Sequence, residues 1–400
     1  MKYRKDSQPA FAGLTEEKWQ QVIKLPTPSY VIDEEQLRRN GEVLLDIQNR
    51  TGCKILLAQK AFSNFSVYPM LSSYLAGTEA SGLYEARLGK TKMPSGECHV
   101  FCGAYKESEF EELLKYADHI VFNSPAQLKK YGECAKSAGK SIGIRINPEC
   151  STQDGHEIYD PCAPGGRLGT TRVAWDEAMN EELLSMLDGV HFHTLCEQNA
   201  DALEITLNAV EEKFGDILTR VKWLNMGGGH HITRADYDRE LLVSCIERMQ
   251  KKYGLKIYLE PGEAVALNAG YLVSEVLDAV KNGNVTNLIL DMSAACHTPD
   301  VIEMPYLPPV MNAASDGVYT YRFGGPTCLS GDIIGDYSFS EELVISDKVV
   351  FGDMAIYTTC KNNTFNGMKL PDIYLLKEDG NVECIASFGY EDFEYRLGHD

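Results

Sequence analysis

At 400 residues the chain can bury one large core or two of ordinary size, and its 44% apolar and 24% charged residues are those of a soluble globular protein. Its apolar stretches are broken by charges well short of the roughly 18 residues a membrane span needs, which predicts no transmembrane helix. A formal charge of −20 argues against nucleic acid, whose phosphates it would repel, and suits plain solubility or a small cationic substrate.

The opening MKYRKDSQPAFAG is basic but has no apolar h-region, so no secretory signal is expected and the cytoplasm is the expected location. The twelve cysteines are scattered through apolar runs without a CxxC pair, and most are expected to be small buried hydrophobes. No repeat or low-complexity linker interrupts the chain.

In chain order, TPSYVID (27 to 33) precedes a helix over about 34 to 49. From there to residue 263, short β-branched runs alternate with helical stretches. The predicted strands are KILLAQ (54 to 59), GTEAS (77 to 81), HVFCGA (99 to 104), HIVFNS (119 to 124), SIGIRIN (141 to 147), GVHFHT (189 to 194), WLNMGGG (223 to 229) and KIYLEPG (256 to 262). Eight strands with helices between them predict an α/β (β/α)8 TIM barrel over residues 34–270, with its active site at the carboxyl ends of the strands. Beyond about 270 the texture changes to strands without intervening helices, such as YLVSEVLDAV, NLILDMS, VYTYRFGG, KVVFGDMAIYTTC and DIYLLKEDGNVECIASF. Residues 271–400 therefore read as a β domain, and residues 1–33, which have no barrel place left, are assigned to it.

The carboxyl ends of the predicted strands carry the chemistry. Lys60 in LLAQKAF ends the first strand, where burial would favour the neutral amine of Schiff-base chemistry; alone, it reads equally as a lysine snorkelling to water. NMGGGHH ends the seventh, and Gly227, Gly228 and Gly229 allow backbone N–H groups to approach an anion, although a simple turn would read the same way. Glu260 in EPGE ends the eighth. It either holds a pyridinium nitrogen protonated, making that ring an electron sink, or pairs with a cation such as Arg145 of IRINP.

FHTLCEQ places His193 at the end of the sixth strand with His191 two residues before it. An HxH pair is used for metals at the first strand of other barrels. Here no metal is expected, His193 is better used covering a cofactor ring, and His191 reads as a satisfied interior histidine. In the β domain, GPTCLSGD brackets Cys328 and Asp332 with glycine and proline, a setting suited to a thiol that moves a proton. Tyr357 of MAIYT is either core packing or a phenol for a phosphate.

The ordered set AQKAF, FHTLCEQ, NMGGGHH, EPGE and GPTCLSGD followed by MAIYT resembles the fold-type III pyridoxal-phosphate decarboxylases. That family includes the ornithine, arginine and diaminopimelate enzymes, with alanine racemase a more distant relative sharing the barrel-plus-β-domain fold. The detailed wording is similar to the branch acting on carboxynorspermidine and carboxyspermidine. The resemblance implies that pyridoxal 5′-phosphate is carried on Lys60 and stacked by His193, that Gly227 to Gly229 and Tyr357 hold its phosphate, and that Glu260 pairs with its ring nitrogen. Arg145 would lie near the ring's phenolic side. It also implies a homodimer with shared sites, to which the partner subunit gives Cys328 and Asp332.

Departures from the family wording bear on substrate. Relatives usually read EPGR where this chain has Glu263, and a D-x-x-R-P-like stretch is here DVIEMPY, with Asp300 and Glu303. Two cations have become acids, which suits the ammonium groups of a polyamine better than a distal carboxylate. Glu263, Asp300 and Asp332 are the expected substrate contacts. Cys196 stands where a serine is common. The rival expectations are a decarboxylase of another basic amino acid, a racemase, a non-catalytic cofactor binder and a metal-dependent barrel hydrolase.

Overall fold

A computed structural model describes residue 6, residues 8–153 and residues 160–398. The chain forms two compact units, Asn40–Val265 and Met1–Arg39 with Ala266–Asp400. The first is thus slightly shorter than the 34–270 expected for the barrel. No helix among the described residues is long and apolar enough to cross a membrane.

Strand β1 (Ser29–Asp33) lies in the second unit. The first holds β2 (Lys54–Ala58), β3 (Gly77–Ala80), β4 (Glu97–Phe101), β5 (His119–Phe122), β6 (Ser141–Arg145), β7 (Gly189–His191), β8 (Trp223–Asn225) and β9 (Lys256–Leu259). These eight close into an all-parallel barrel, β9 pairing back onto β2, as the strand count predicts. Each strand ends one to four residues short of its predicted run, which leaves Lys60, His193, Gly227 to Gly229 and Glu260 on the loops just past the strands. The helix Arg239–Tyr253 illustrates the local logic. Asp238 caps it by accepting the Leu241 N–H, and Gly254 stops it in the left-handed region at φ 71°, which turns the chain into β9.

The interior is filled in layers. At the carboxyl ends of the strands Arg145, His191 and Asn225 are successive register partners across β6, β7 and β8. Lower down Gly143 and Gly189 leave room for the Trp223 ring, which the first atom of any side chain at Gly189 would meet at 1.9 Å.

The second unit is an eight-stranded mixed sheet. Its further strands are β10 (Gly270–Asn282), β11 (Val285–Leu290), β12 (Tyr319–Gly324), β13 (Ile333–Phe339), β14 (Lys348–Gly352), β15 (Asp372–Leu376) and β16 (Val382–Ala386). The order is β13-β12-β11-β10-β1-β15-β16, with β14 also on β10. The stretch TPSYVID does join this sheet: β1 runs antiparallel to β10 and parallel to β15. Its core packs Trp19 of the helix Glu16–Val22 against Val31, Tyr271, Val350 and Leu376. Thr15 caps that helix, and Glu16 and Glu17 in its first turn suit the helix dipole.

Three expectations need correction. β13 is not legible in the sequence, because Gly335 and Asp336 interrupt its apolar alternation; pairing with β12 makes it a strand. The run KVVFGDMAIYTTC is not one strand. Asp353 turns the chain at φ 55° with its carboxylate on the Asn268 N–H, and Thr358–Lys361 forms a helical turn, so this unit holds short helices after all. Of the twelve cysteines only Cys53, Cys98, Cys162, Cys245 and Cys296 are buried.

Candidate active site

Lys60, Glu79, Arg145, His191, His193 and Glu260 line one cavity of about 190 Å3 at the carboxyl ends of the barrel strands, with Phe101 and Leu168 as apolar walls. Lys60 follows β2 by two residues, and its exposed side chain has no hydrogen bond or ion pair among the described residues. An amine left unengaged beside two acids is available for a covalent partner.

Glu260 lies just past β9, buried. Its carboxylate is not paired with Arg145. Oε2 lies 3.0 Å from His191 Nε2 and Oε1 accepts from Asn225 Nδ2 at 2.5 Å. Burial alone would raise this carboxyl, but the charge and hydrogen bond of His191 and the Asn225 amide outweigh it, holding the group well below the usual carboxylate range. Burial likewise keeps His191 below its ordinary value against the pull of Glu260. His191 is therefore more than a satisfied core histidine, since it orients the acid.

The second acid, Glu79, is the penultimate residue of β3 and was not singled out from the sequence. It is buried, Ser81 Oγ approaches Oε1 at 3.4 Å, and Oε2 has no partner. Desolvation, and then the negative charge of Glu260, push its carboxyl well up, while Lys60 pulls the other way. The two acids thus share one negative charge, which resides on Glu260. Position was the signal that could have found it: the last inward residue of a barrel strand faces the catalytic mouth.

His193 accepts the Gly228 N–H on Nδ1 at 2.9 Å, which fixes its ring and places any proton of the neutral form on Nε2. Burial, with the charges of Lys60 and Arg145, keeps it well below its ordinary value, hence uncharged. Arg145 donates to the His193 carbonyl at 3.1 Å, and its guanidinium lies 4.6 Å from the Phe101 ring centroid. Burial lowers it to about 10, so it stays cationic at neutral pH.

The glycine loop differs from expectation. Gly227 and Gly229 have φ of 70° and 81°, and the first side-chain atom at Gly229 would lie 2.0 Å from the Leu195 carbonyl, so the loop's shape demands glycine. Two of its amides are already used, however: the Gly227 N–H donates to Asn225 Oδ1 at 2.9 Å and that of Gly228 to His193. Of the three, Gly229 is the amide left for an anion.

Glu263 lies 3.5 Å from His231 Nε2 in the barrel unit. The Cys196 thiol is pushed up to about 12 by burial and by the charges of Glu263 and Glu197, so it is no thiolate nucleophile. In the sheet unit Cys328 is exposed and donates its backbone N–H to Asn366 Oδ1. Asp332 is buried and its carboxylate is fully engaged. Oδ1 accepts from Ser293 Oγ at 2.9 Å and the Ala295 N–H at 3.2 Å, and Oδ2 from Thr327 Oγ1 at 2.6 Å. In this structure it shapes the Cys328 loop. Asp300 and Glu303 do not stand as free acids, because Lys361 bridges both. Tyr357 occupies a left-handed turn at φ 58°.

The donor set fits pyridoxal phosphate: an amine for its carbonyl, an ionised buried carboxylate for a ring N–H, a neutral flat imidazole, and a glycine loop with one amide to spare. Comparison with known proteins agrees. The profile of the pyridoxal-dependent decarboxylase family, C-terminal sheet domain, matches residues 29–355. The chain is similar to the carboxynorspermidine/carboxyspermidine decarboxylase of Campylobacter jejuni, 40% identical across 93% of this chain and 99% of that protein. It is also similar to the carboxyaminopropylagmatine decarboxylase of Synechocystis sp., 38% identical across 94% and 97%. The crystal structure of the C. jejuni carboxynorspermidine decarboxylase complexed with norspermidine superposes with a TM-score of 0.85 at 39% identity, covering 93% of this chain and 100% of that one. With barrel, mixed sheet and motif order all in place, the chain belongs to the pyridoxal-dependent decarboxylases.

Proposed function

We propose that the protein removes the α-carboxylate of a carboxylated triamine, carboxynorspermidine or carboxyspermidine, with pyridoxal 5′-phosphate held on Lys60. The observation that carries the substrate is the near-full-length likeness to the C. jejuni enzyme. The acids at 263 and 303, where relatives carry arginine, are consistent with it. Bound pyridoxal phosphate supplies an electron sink for the carbanion left by CO2.

Around it, Lys60 offers its amine for the covalent link and Glu260, held ionised by His191 and Asn225, keeps a ring N–H protonated. The neutral His193 would cover the ring, and Arg145 would lie by its phenolic side. Glu79, carrying a proton, stands as a neutral acid in the same cavity as Lys60. Gly229 and Tyr357 would hold the phosphate. Glu263, with its His231 neighbour, and Asp300, once Lys361 yields, receive substrate ammonium groups.

The protein works as a homodimer in which the partner's loop brings the Cys328 thiol to protonate the α-carbon, with Asp332 setting that loop. Its twelve cysteines, none of them in a disulfide, suit a reducing cytoplasm.

A second reading rests on the Synechocystis relative, whose named substrate ends in a guanidinium. Release of CO2 from purified protein, pyridoxal phosphate and each of the two carboxylated triamines, carboxyaminopropylagmatine, diaminopimelate and ornithine separates the readings. The triamines should be turned over at least about a hundredfold faster than diaminopimelate or ornithine, a gap that unpaired buried charges can enforce. Equal or faster release from either amino acid would refute the first reading, and preference for the agmatine compound would install the second.

A further inference from the structure

The amino-terminal end of the same barrel gathers ligating side chains that decarboxylation does not use. Glu97 opens β4 and His99 follows two residues later, so strand alternation puts both on the interior face. His119 opens β5 and is the register partner of His99. The two imidazoles lie face to face, 3.8 Å between centroids and 11° from parallel. His99 is fully buried, and on both rings Nδ1 is buried without a hydrogen-bond partner. An orphaned nitrogen on each of two stacked rings calls for a ligand, because buried polar atoms are almost always satisfied.

Glu97 divides its oxygens. Oε1 takes the ammonium groups of Lys54 and of Lys256, the latter at 3.6 Å, whereas Oε2 faces His99 Nε2 at 3.3 Å. One donor atom from each of Glu97, His99 and His119 lies within 4.8 Å of the other two.

We infer that Glu97, His99 and His119 form a site for a borderline divalent cation such as zinc, two imidazoles and a carboxylate being a usual donor set for it. Metal–ligand bonds of about 2.1 Å need donors about 3.3 Å apart, so the rings must rotate out of their stack to aim their in-plane lone pairs at one point. Lys54 and Lys256 oppose the cation. Their side chains are 35% and 45% exposed, and they hold the oxygen turned away from the rings, so their ammonium groups swing to water when the ion enters. The ion ties β4 to β5 beneath the catalytic cavity, where His99 is the register partner of Glu79.

Cobalt(II) is the probe, because its spectrum separates nitrogen and oxygen ligands from the chain's many thiols. The cofactor-loaded protein, stripped with a chelator and desalted, should take up one cobalt with visible bands and no thiolate charge-transfer band. His119→Asn and, as a near-isosteric second variant, Glu97→Gln should each weaken uptake at least about tenfold, with unchanged circular dichroism. Lys256→Met should tighten it about threefold or more by removing a like charge. Uptake equal in the parent, His119→Asn and Glu97→Gln, or a thiolate spectrum, would overturn the site, as would Lys256→Met binding no more tightly than the parent.

Discussion

His191 Nε2 lies 3.0 Å from Glu260 Oε2, and both side chains are buried. The carboxylate that is proposed to hold the cofactor ring protonated is thus itself held by an imidazole. His191→Leu removes that donor and leaves a buried oxygen unsatisfied, which raises the Glu260 carboxyl. The expected result is a kcat lower by about 10- to 100-fold with little change in KM, and weaker cofactor binding. His191→Gln, which keeps a donor, should recover part of both. Steady-state kinetics with an absorbance titration of the cofactor check this, and an unimpaired His191→Leu enzyme would remove the orienting role.

Glu79 makes the site sensitive to alkali. Its folded pKa is raised to about 8, so the folded chain keeps a proton that the unfolded chain has already released. The fold therefore loses stability as pH climbs from the ordinary carboxylate range through that value. Glu79→Gln cannot lose the proton. Urea unfolding of the cofactor-free protein at pH 5.5 and 8.5 should show the parent losing at least about 2 kcal/mol more than the variant over that interval. Parallel losses would mean that Glu79 ionises normally.

Cys328 is exposed and outside any core, so Cys328→Ala should leave the melting temperature unchanged while lowering turnover by about 100-fold or more. Lys60→Ala should lose both turnover and the visible absorption of the protein-bound cofactor. If the site is shared between subunits, mixing these two inactive proteins should restore about a quarter of parent activity, since half the dimers then carry one intact site. No recovery after verified subunit exchange would place thiol and lysine in the same subunit.

At Gly189 the constraint is steric. Gly189→Ala puts a methyl 1.9 Å from the Trp223 ring, which is held by its indole N–H on Ser141 Oγ at 2.9 Å. The expected cost is about 3 kcal/mol in chemical denaturation. Adding Trp223→Leu should return part of it, and a neutral single variant would show that the ring can move.

The sequence by itself determined the architecture and the motif order. Eight apolar runs with helical stretches between them match the strand count of a closed parallel barrel, and Lys60, His193, Gly227 to Gly229 and Glu260 all fall just past strand ends, so local pattern alone put them at one mouth. Even β1 was assigned to its sheet by elimination.

What only the tertiary structure decided were the partners of those residues, because partnership depends on register and distance between segments far apart in sequence. His191 and Asn225 bond Glu260 because β7, β8 and β9 place them in one layer. Glu79 carries its proton because β3 buries it beside a second acid. Two of the three glycine amides are taken by neighbours the motif does not contain, and the acids at 300 and 303 find Lys361 some sixty residues later. A motif fixes which groups arrive at the site, but their charge and orientation follow from the burial and hydrogen bonds that the packed fold imposes.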